Sequence, residues 1–219
     1  MMAFGGVVVD ERLPVSRFPG LSMVSGLIAN AMGLDRTDGK ELQDLQDGME
    51  IASRIDRPGS LERDYQTAKL CGDDAMWTSR DTAIRRGGGG GKESTSQFHK
   101  DYWADSSVTV AVAMPERRVE PVCAALAEPA RPLFLGRAAC PPSRPVLLGT
   151  IEAADVLDAI RRGPRDDGTP EVVLAQWPGR LGGTDVRQLT AYDTKDWRNG
   201  LHRGSRTVRE GFVSLENAR

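Results

Sequence analysis

The groups in this chain best suited to chemistry are arginine forks and aromatic rings, which suit contact with an anionic partner such as a nucleic-acid backbone. In FLGRAACPPSR (134–144), Gly136 permits close approach of a backbone and Arg137 offers a planar fork to a phosphate or a base. Ser143 and Arg144 extend that contact, and the string contains no acid to pair its arginines; the alternative is a proline-stiffened turn with surface arginines. In SRFPGLS (16–22), Arg17 stands just ahead of a predicted helix start, where free amides around Leu21 and Ser22 can share a phosphate with it. Equally, Phe18 and Pro19 staple the helix to the core and leave Arg17 in solvent. Arg63, Tyr65, Lys100 and Tyr102 mix basic and aromatic character, which fits a nucleic-acid groove or an ordinary strand with solvated charges.

Other chemistries are weaker. RRGGGGGKES (85–94) looks like a phosphate-cradling loop, but the first required glycine falls on Arg86 and the magnesium-binding hydroxyl on Glu93, so nucleotide hydrolysis is not expected. His99, Lys100 and Tyr102 could supply the acid and base of a metal-independent ribonuclease, with His202 the other histidine of the chain. The opposing reading makes His99 an exposed loop residue. Cys71, Cys123 and Cys140 lack metal or disulfide spacing; Cys140 reads as a buried small hydrophobe, and no metal or cofactor is expected. Trp77, Trp103, Trp177 and Trp197 read as core or subunit-interface anchors rather than stacking platforms.

The elements that must position these groups fit one large domain or two small ones within 219 residues. A net charge of −2 and a pI near 5.8 exclude a globally basic coat. Charge is nevertheless segregated. Acids outnumber bases over 10–64, whereas 131–144 carries Arg131, Arg137 and Arg144 without an acid. The tail 195–209 carries Lys195, Arg198, Arg203, Arg206 and Arg209 against Asp196 alone, either as a solvated face or as a contact. Neither an export leader nor an apolar run long enough for a membrane is visible, and the cysteine usage suits a reducing cytoplasm.

Spacing predicts helices over 21–32, ended by Gly33, and over 39–46, capped by Thr37 or Asp38. Further helices are expected over 116–126, strained early by Pro121, and over 153–162, stopped by Gly163. Strands are expected over 49–56, half-buried by its period of two, and over 107–114, 146–152 and 171–177, with strand-like segments at 186–192 and 207–215. The charged, glycine-rich stretch 67–106 is too long for an ordinary connection and reads as an excursion from an α+β core.

Three stretches in order carry a resemblance. They are MAFGG…DERLPVSRFPGLSMVSGLIANAMG (2–33), RDYQTA leading to KDYWADSSVTVAV (63–112), and PLFLGRAACPPSRPVLLGT (132–150). Together they resemble the CasD family, the fifth-numbered family of CRISPR-associated proteins, in its type I-E form. The resemblance implies a ferredoxin-like, RRM-related, RAMP-type core with an inserted thumb, divided as 1–66, 67–106 and 107–219. It implies a non-catalytic subunit of the Cascade surveillance complex that holds the 5′ handle of the CRISPR RNA beside the backbone subunits and the large subunit, and meets target DNA only indirectly. The glycine run, with Arg85, Arg86 and Lys92, then belongs to the thumb near RNA or a neighbouring subunit. Two alternatives stand beside this reading: a nuclease that processes repeat RNA, and a protein-interaction module without RNA contact. One departure is visible: relatives begin with an apolar strand ahead of the segment matching Ala3-Phe4-Gly5-Gly6, and its loss would leave a central strand's neighbours with unpaired backbone groups.

Overall fold

The computed structural model describes residues 1–5, 12–70, 75–77, 83–85 and 94–216. Its elements in chain order are β1 (Arg12–Leu13), α1 (Leu21–Ala31), α2 (Gly39–Asp47), β2 (Glu50–Arg57), β3 (Ser60–Leu70), β4 (Ala75–Trp77), β5 (Ala83–Arg85), β6 (Ser94–Ala104) and β7 (Ser107–Ala113). There follow α3 (Glu116–Ala127), α4 (Val156–Arg162), β8 (Val172–Pro178), β9 (Arg187–Ala191), β10 (Lys195–Asp196), β11 (Leu201–His202) and β12 (Arg206–Ser214). The α+β class is as expected.

The core is a five-stranded antiparallel sheet in the order β7-β2-β8-β12-β9. Alternating side chains of β2 feed two separate cores. Ile51 packs with Leu21 and Ile28 of α1, Leu42 and Leu45 of α2 and Val122 of α3. Its neighbour Ala52 packs with Val156, Leu157 and Ile160 of α4 and with Val173 and Trp177 of β8. Val110 and Val112 of β7 join the three-helix side, and Ala111 joins the α4 side.

That second layer corrects the expectation of a half-buried strand at 49–56. Arg54 and Asp56 lie under α4 and are buried, not solvated. Arg54 Nε donates to Asp56 Oδ1 at 2.7 Å, and its other nitrogens donate to the carbonyls of Ile160, Gly163 and Pro164, where α4 ends. Thr109 donates to the second carboxylate oxygen of Asp56. A polar face in an alternating pattern is wet only if nothing covers it. Here a helix covers it, and the charges are paired instead.

The strand expected at 146–152 does not form. No backbone–backbone hydrogen bond reaches that segment among the described residues, and Leu148 and Ile151 are exposed. A strand persists only where a neighbour shares its ladder, and β7, the edge of the sheet, has no strand on its outer side among the described residues. No helix of the described residues is long and apolar enough to cross a membrane.

β3 and β6 pair over eleven positions, from Ser60↔Ala104 to Leu70↔Ser94, as a long antiparallel ribbon, so 66/67 falls inside β3. β1 joins β6 in parallel, β4 pairs with β5, and residues 60–67 are exposed. The glycine run at 87–91 lies outside the described residues.

The N-terminal residues knit ribbon and core together. Met2 exchanges both backbone hydrogen bonds with Trp103 at 2.8 Å, Ala3 donates to the Leu135 carbonyl at 3.0 Å, and Met2, Ala3 and Phe4 are buried.

Candidate nucleic-acid interface

A broad groove of about 1740 Å³ runs between the start of α1, the loop after it, the 131–137 segment and the end of β9. Arg17 lies on its wall, exposed, with its guanidinium carbon 5.6 Å from the centroid of the Trp103 ring. Lys195 Nζ sits 4.3 Å from the Trp197 ring centroid, and Arg36 is a third cation on the wall. Two of the groove's acids are already engaged: Asp35 with Arg131, and Asp193 with Arg206; Glu210 is the remaining one. Arg17, Arg36 and Lys195 have no carboxylate partner among the described residues. They give the groove its positive character.

The phosphate site expected at the start of α1 is occupied by the protein itself. Asp193 Oδ2 accepts from the Leu21 amide at 2.9 Å, and its backbone carbonyl accepts from the Ser22 amide at 2.8 Å. Gly20 makes room, since a Cβ there would lie 2.8 Å from Asp193 Cβ. The carboxylate supplies the negative charge that a helix N-terminus attracts, so Leu21 and Ser22 keep no free amides for a ligand.

Among the described side chains, Arg63, Arg137 and Arg144 are engaged within the protein. Arg137 donates to the carbonyls of Asp101 and Leu13, both at 2.9 Å, and lies over the Tyr102 ring at 4.9 Å. Tyr102 is thereby buried, not open to a base. Gly136 does permit close backbone approach, but the backbone is the chain's own: at φ +90°, a Cβ would fall 2.0 Å from the Ala3 carbonyl oxygen. Cys140 is fully buried, as expected, and burial pushes its thiol pKa up. Arg63 pairs with Asp101 at 2.7 Å, and this hydrogen bond holds the carboxyl below its usual range. On the same ribbon, Tyr65 is half exposed against His99, with ring centroids 5.3 Å apart, and Lys100 Nζ donates to Gln66 at 2.6 Å. Ser143 is exposed. The side chain of Arg85 and the whole of Arg86 and Lys92 lie outside what the structure describes.

Arg144 forms a fork on Asp166, at 2.8 and 2.7 Å, and reaches Ser107 Oγ at 3.0 Å. An acid-free stretch of sequence is therefore not an unpaired one. Arg131, Arg137 and Arg144 all find acceptors outside their own segment. The hydrogen bonds of Arg144 and then Ser107 lower the Asp166 pKa to about 2. Because the folded value is depressed, this pair stabilises the fold above the ordinary carboxylate range, about pH 4, and the contribution is lost as pH falls toward 2. Arg144→Ala is expected to move the Asp166 carboxyl titration, followed by NMR, back toward about 3.9. It should destabilise the protein at neutral pH by about 0.5–1 kcal/mol, the modest value of a solvent-screened pair. An unshifted titration would show the fork to be unformed in solution.

The family model described as "CRISPR-associated protein (Cas_Cas5)" matches residues 1–209. The chain belongs to this Cas5 family. A curated relative, "CRISPR system Cascade subunit CasD" of Escherichia coli (strain K12), is 29% identical over 171 residues, covering 73% of this Cas5 chain and 71% of the relative. A chain of the solved "CRISPR RNA-guided surveillance complex" shares its fold with a TM-score of 0.70 at 23% identity, over 98% of this chain and 86% of that one. "Crystal structure of Cas protein" describes another, with a TM-score of 0.63, 21% identity and 97% and 90% coverage.

Within this Cas5 chain, the groups proposed for ribonuclease chemistry do not converge. His99 and Lys100 are consecutive on β6 and face opposite sides of the ribbon, Tyr102 is buried beneath Arg137, and His202 lines the groove from β11. Among the described residues no cluster of histidines, cysteines and acids could hold a metal ion. Of the tryptophans, Trp177 is core, while Trp103 and Trp197 serve as seats for Arg17 and Lys195; the Trp77 side chain is not described. Arg36, Phe134 and Tyr192 escaped the sequence reading. Nothing in their local sequence distinguishes them from ordinary surface residues.

Proposed function

We propose that this Cas5 chain is a non-catalytic RNA-binding subunit of a type I-E Cascade complex, with a ferredoxin-like core whose groove holds the 5′ handle of the CRISPR RNA. The β3–β6 ribbon is the base of its thumb, carrying Arg85, Arg86 and Lys92 toward the RNA or the backbone subunits. The large subunit lies alongside, and target DNA is met only through the assembled complex. One observation carries the reading: Arg17, Arg36 and Lys195, without a carboxylate partner among the described residues, line a broad groove of about 1740 Å³, in a molecule whose other described arginines are mostly engaged internally. Family membership and the CasD relative supply the CRISPR Cascade context.

Contact of Arg17 with a phosphate implies that Arg17→Ala reduces the salt dependence of RNA binding by about one counterion and lowers recovery of guide RNA with the assembled complex. Arg137→Ala, by contrast, should lower the thermal midpoint and leave the salt slope unchanged. Wild-type salt slope and recovery in Arg17→Ala would remove the groove from consideration.

A further inference from the structure

The groove's walls carry two rings that the internal packing leaves unused. Tyr192 is 74% exposed and Phe134 is 40% exposed, and both line the groove. A single exposed ring is ordinary on a protein surface. What distinguishes Tyr192 is the rigidity of its mounting. Thr190 and Ala191, just before it, are paired with Thr207 and Arg206 of β12, and Asp193, just after it, is locked to Arg206 and to the Leu21 amide. Backbone is therefore held on both sides of a side chain with only two rotatable bonds and, among the described residues, no hydrogen-bond partner for its hydroxyl. Such a ring loses little entropy when a flat partner stacks on it.

The chemistry around it selects the partner. Arg17, Arg36 and Lys195, on the same groove, attract an anionic backbone, and a base offers a π-face whatever its identity. We infer that Tyr192 is a base-stacking platform for single-stranded RNA in this groove, with Phe134 as a second ring, so that affinity there combines phosphate neutralisation with sequence-tolerant stacking. The inference rests on the RNA-binding reading above and adds residues to it.

The test measures binding of a fluorescein-labelled mixed-sequence single-stranded RNA of about eight nucleotides to the full chain across a salt series. Tyr192→Ala should weaken binding about five- to hundredfold with the salt slope unchanged, while Tyr192→Phe should bind like the wild type, since the ring and not the hydroxyl is needed. An exposed position makes folding of the variant straightforward, and an unchanged thermal midpoint verifies it. Wild-type affinity in Tyr192→Ala, alongside a reduced slope in Arg17→Ala, would overturn the stacking role and leave the groove reading standing. Wild-type behaviour in both variants would overturn both. Tyr192→Ala that keeps RNA affinity but loses co-purification with other Cascade subunits would overturn the stacking role in favour of a protein contact.

Discussion

Arg54→Met is expected to destabilise the protein by about 3–5 kcal/mol, the range for removing one partner of a buried pair. In a chain of this size that lowers the thermal midpoint by about 6–20 °C. The arginine is fully buried on β2, and its removal strands two sets of groups at once: the Asp56 carboxylate, left with Thr109 as donor, and the carbonyls of Ile160, Gly163 and Pro164. Those carbonyls end α4, where a cation also complements the helix dipole. Asp56→Asn keeps one acceptor oxygen for Arg54 and places an amide NH2 against the Thr109 hydroxyl, which can turn to accept from it, so it should be milder. A double-mutant cycle between the two positions is expected to show strong coupling. A midpoint for Arg54→Met within a degree or two of the wild type would mean that the site is hydrated, not sealed.

Asp193→Ala carries two effects of opposite sign. The carboxylate pairs with Arg206 at 2.7 Å, with side chains only 19% and 16% exposed, and it accepts the Leu21 amide at the start of α1. Losing a largely buried pair and a helix cap together should destabilise the fold by about 2–4 kcal/mol. The same change removes a negative charge from the groove, releases Arg206 and frees the amide of Leu21, so the salt slope of RNA binding should steepen even as the midpoint falls, whereas loosening the mount of Tyr192 acts on affinity and not on the slope. Asp193→Asn retains an acceptor for the helix amide and should recover part of the stability. The two readouts, a urea midpoint and an RNA titration, separate the effects. An unchanged salt slope in a folded Asp193→Ala protein would overturn the groove as a site whose charge this aspartate restrains.

Local pattern carried much of the fold. The helices at α1, α2 and α3 and the strands β7, β8, β9 and β12 lie where hydrophobic period and glycines predict them, because helix and strand preferences act over a few residues, although the Asp38 cap expected for α2 makes no side-chain capping bond. The conspicuous string PLFLGRAACPPSRP pointed to a family that comparison then established. Where the pattern failed, a distant neighbour decided: 146–152 has strand composition without a ladder partner, and β2 has an alternating pattern whose polar side a helix covers.

Sequence by itself determined the α+β class and the family, both of which follow from residue types at short spacing. Only the tertiary structure decided which positive charges are available. Arg63 is neutralised by an acid 38 residues away, Arg144 by one 22 residues away, and the start of α1 by one 172 residues away. The physical reason is that an ion pair acts over a few ångströms of space and is indifferent to separation along the chain. Clustering of arginines in the sequence thus pointed at Arg137 and Arg144, which the fold uses to hold itself together, while the groove is left to Arg17, Arg36, Lys195 and the ring of Tyr192.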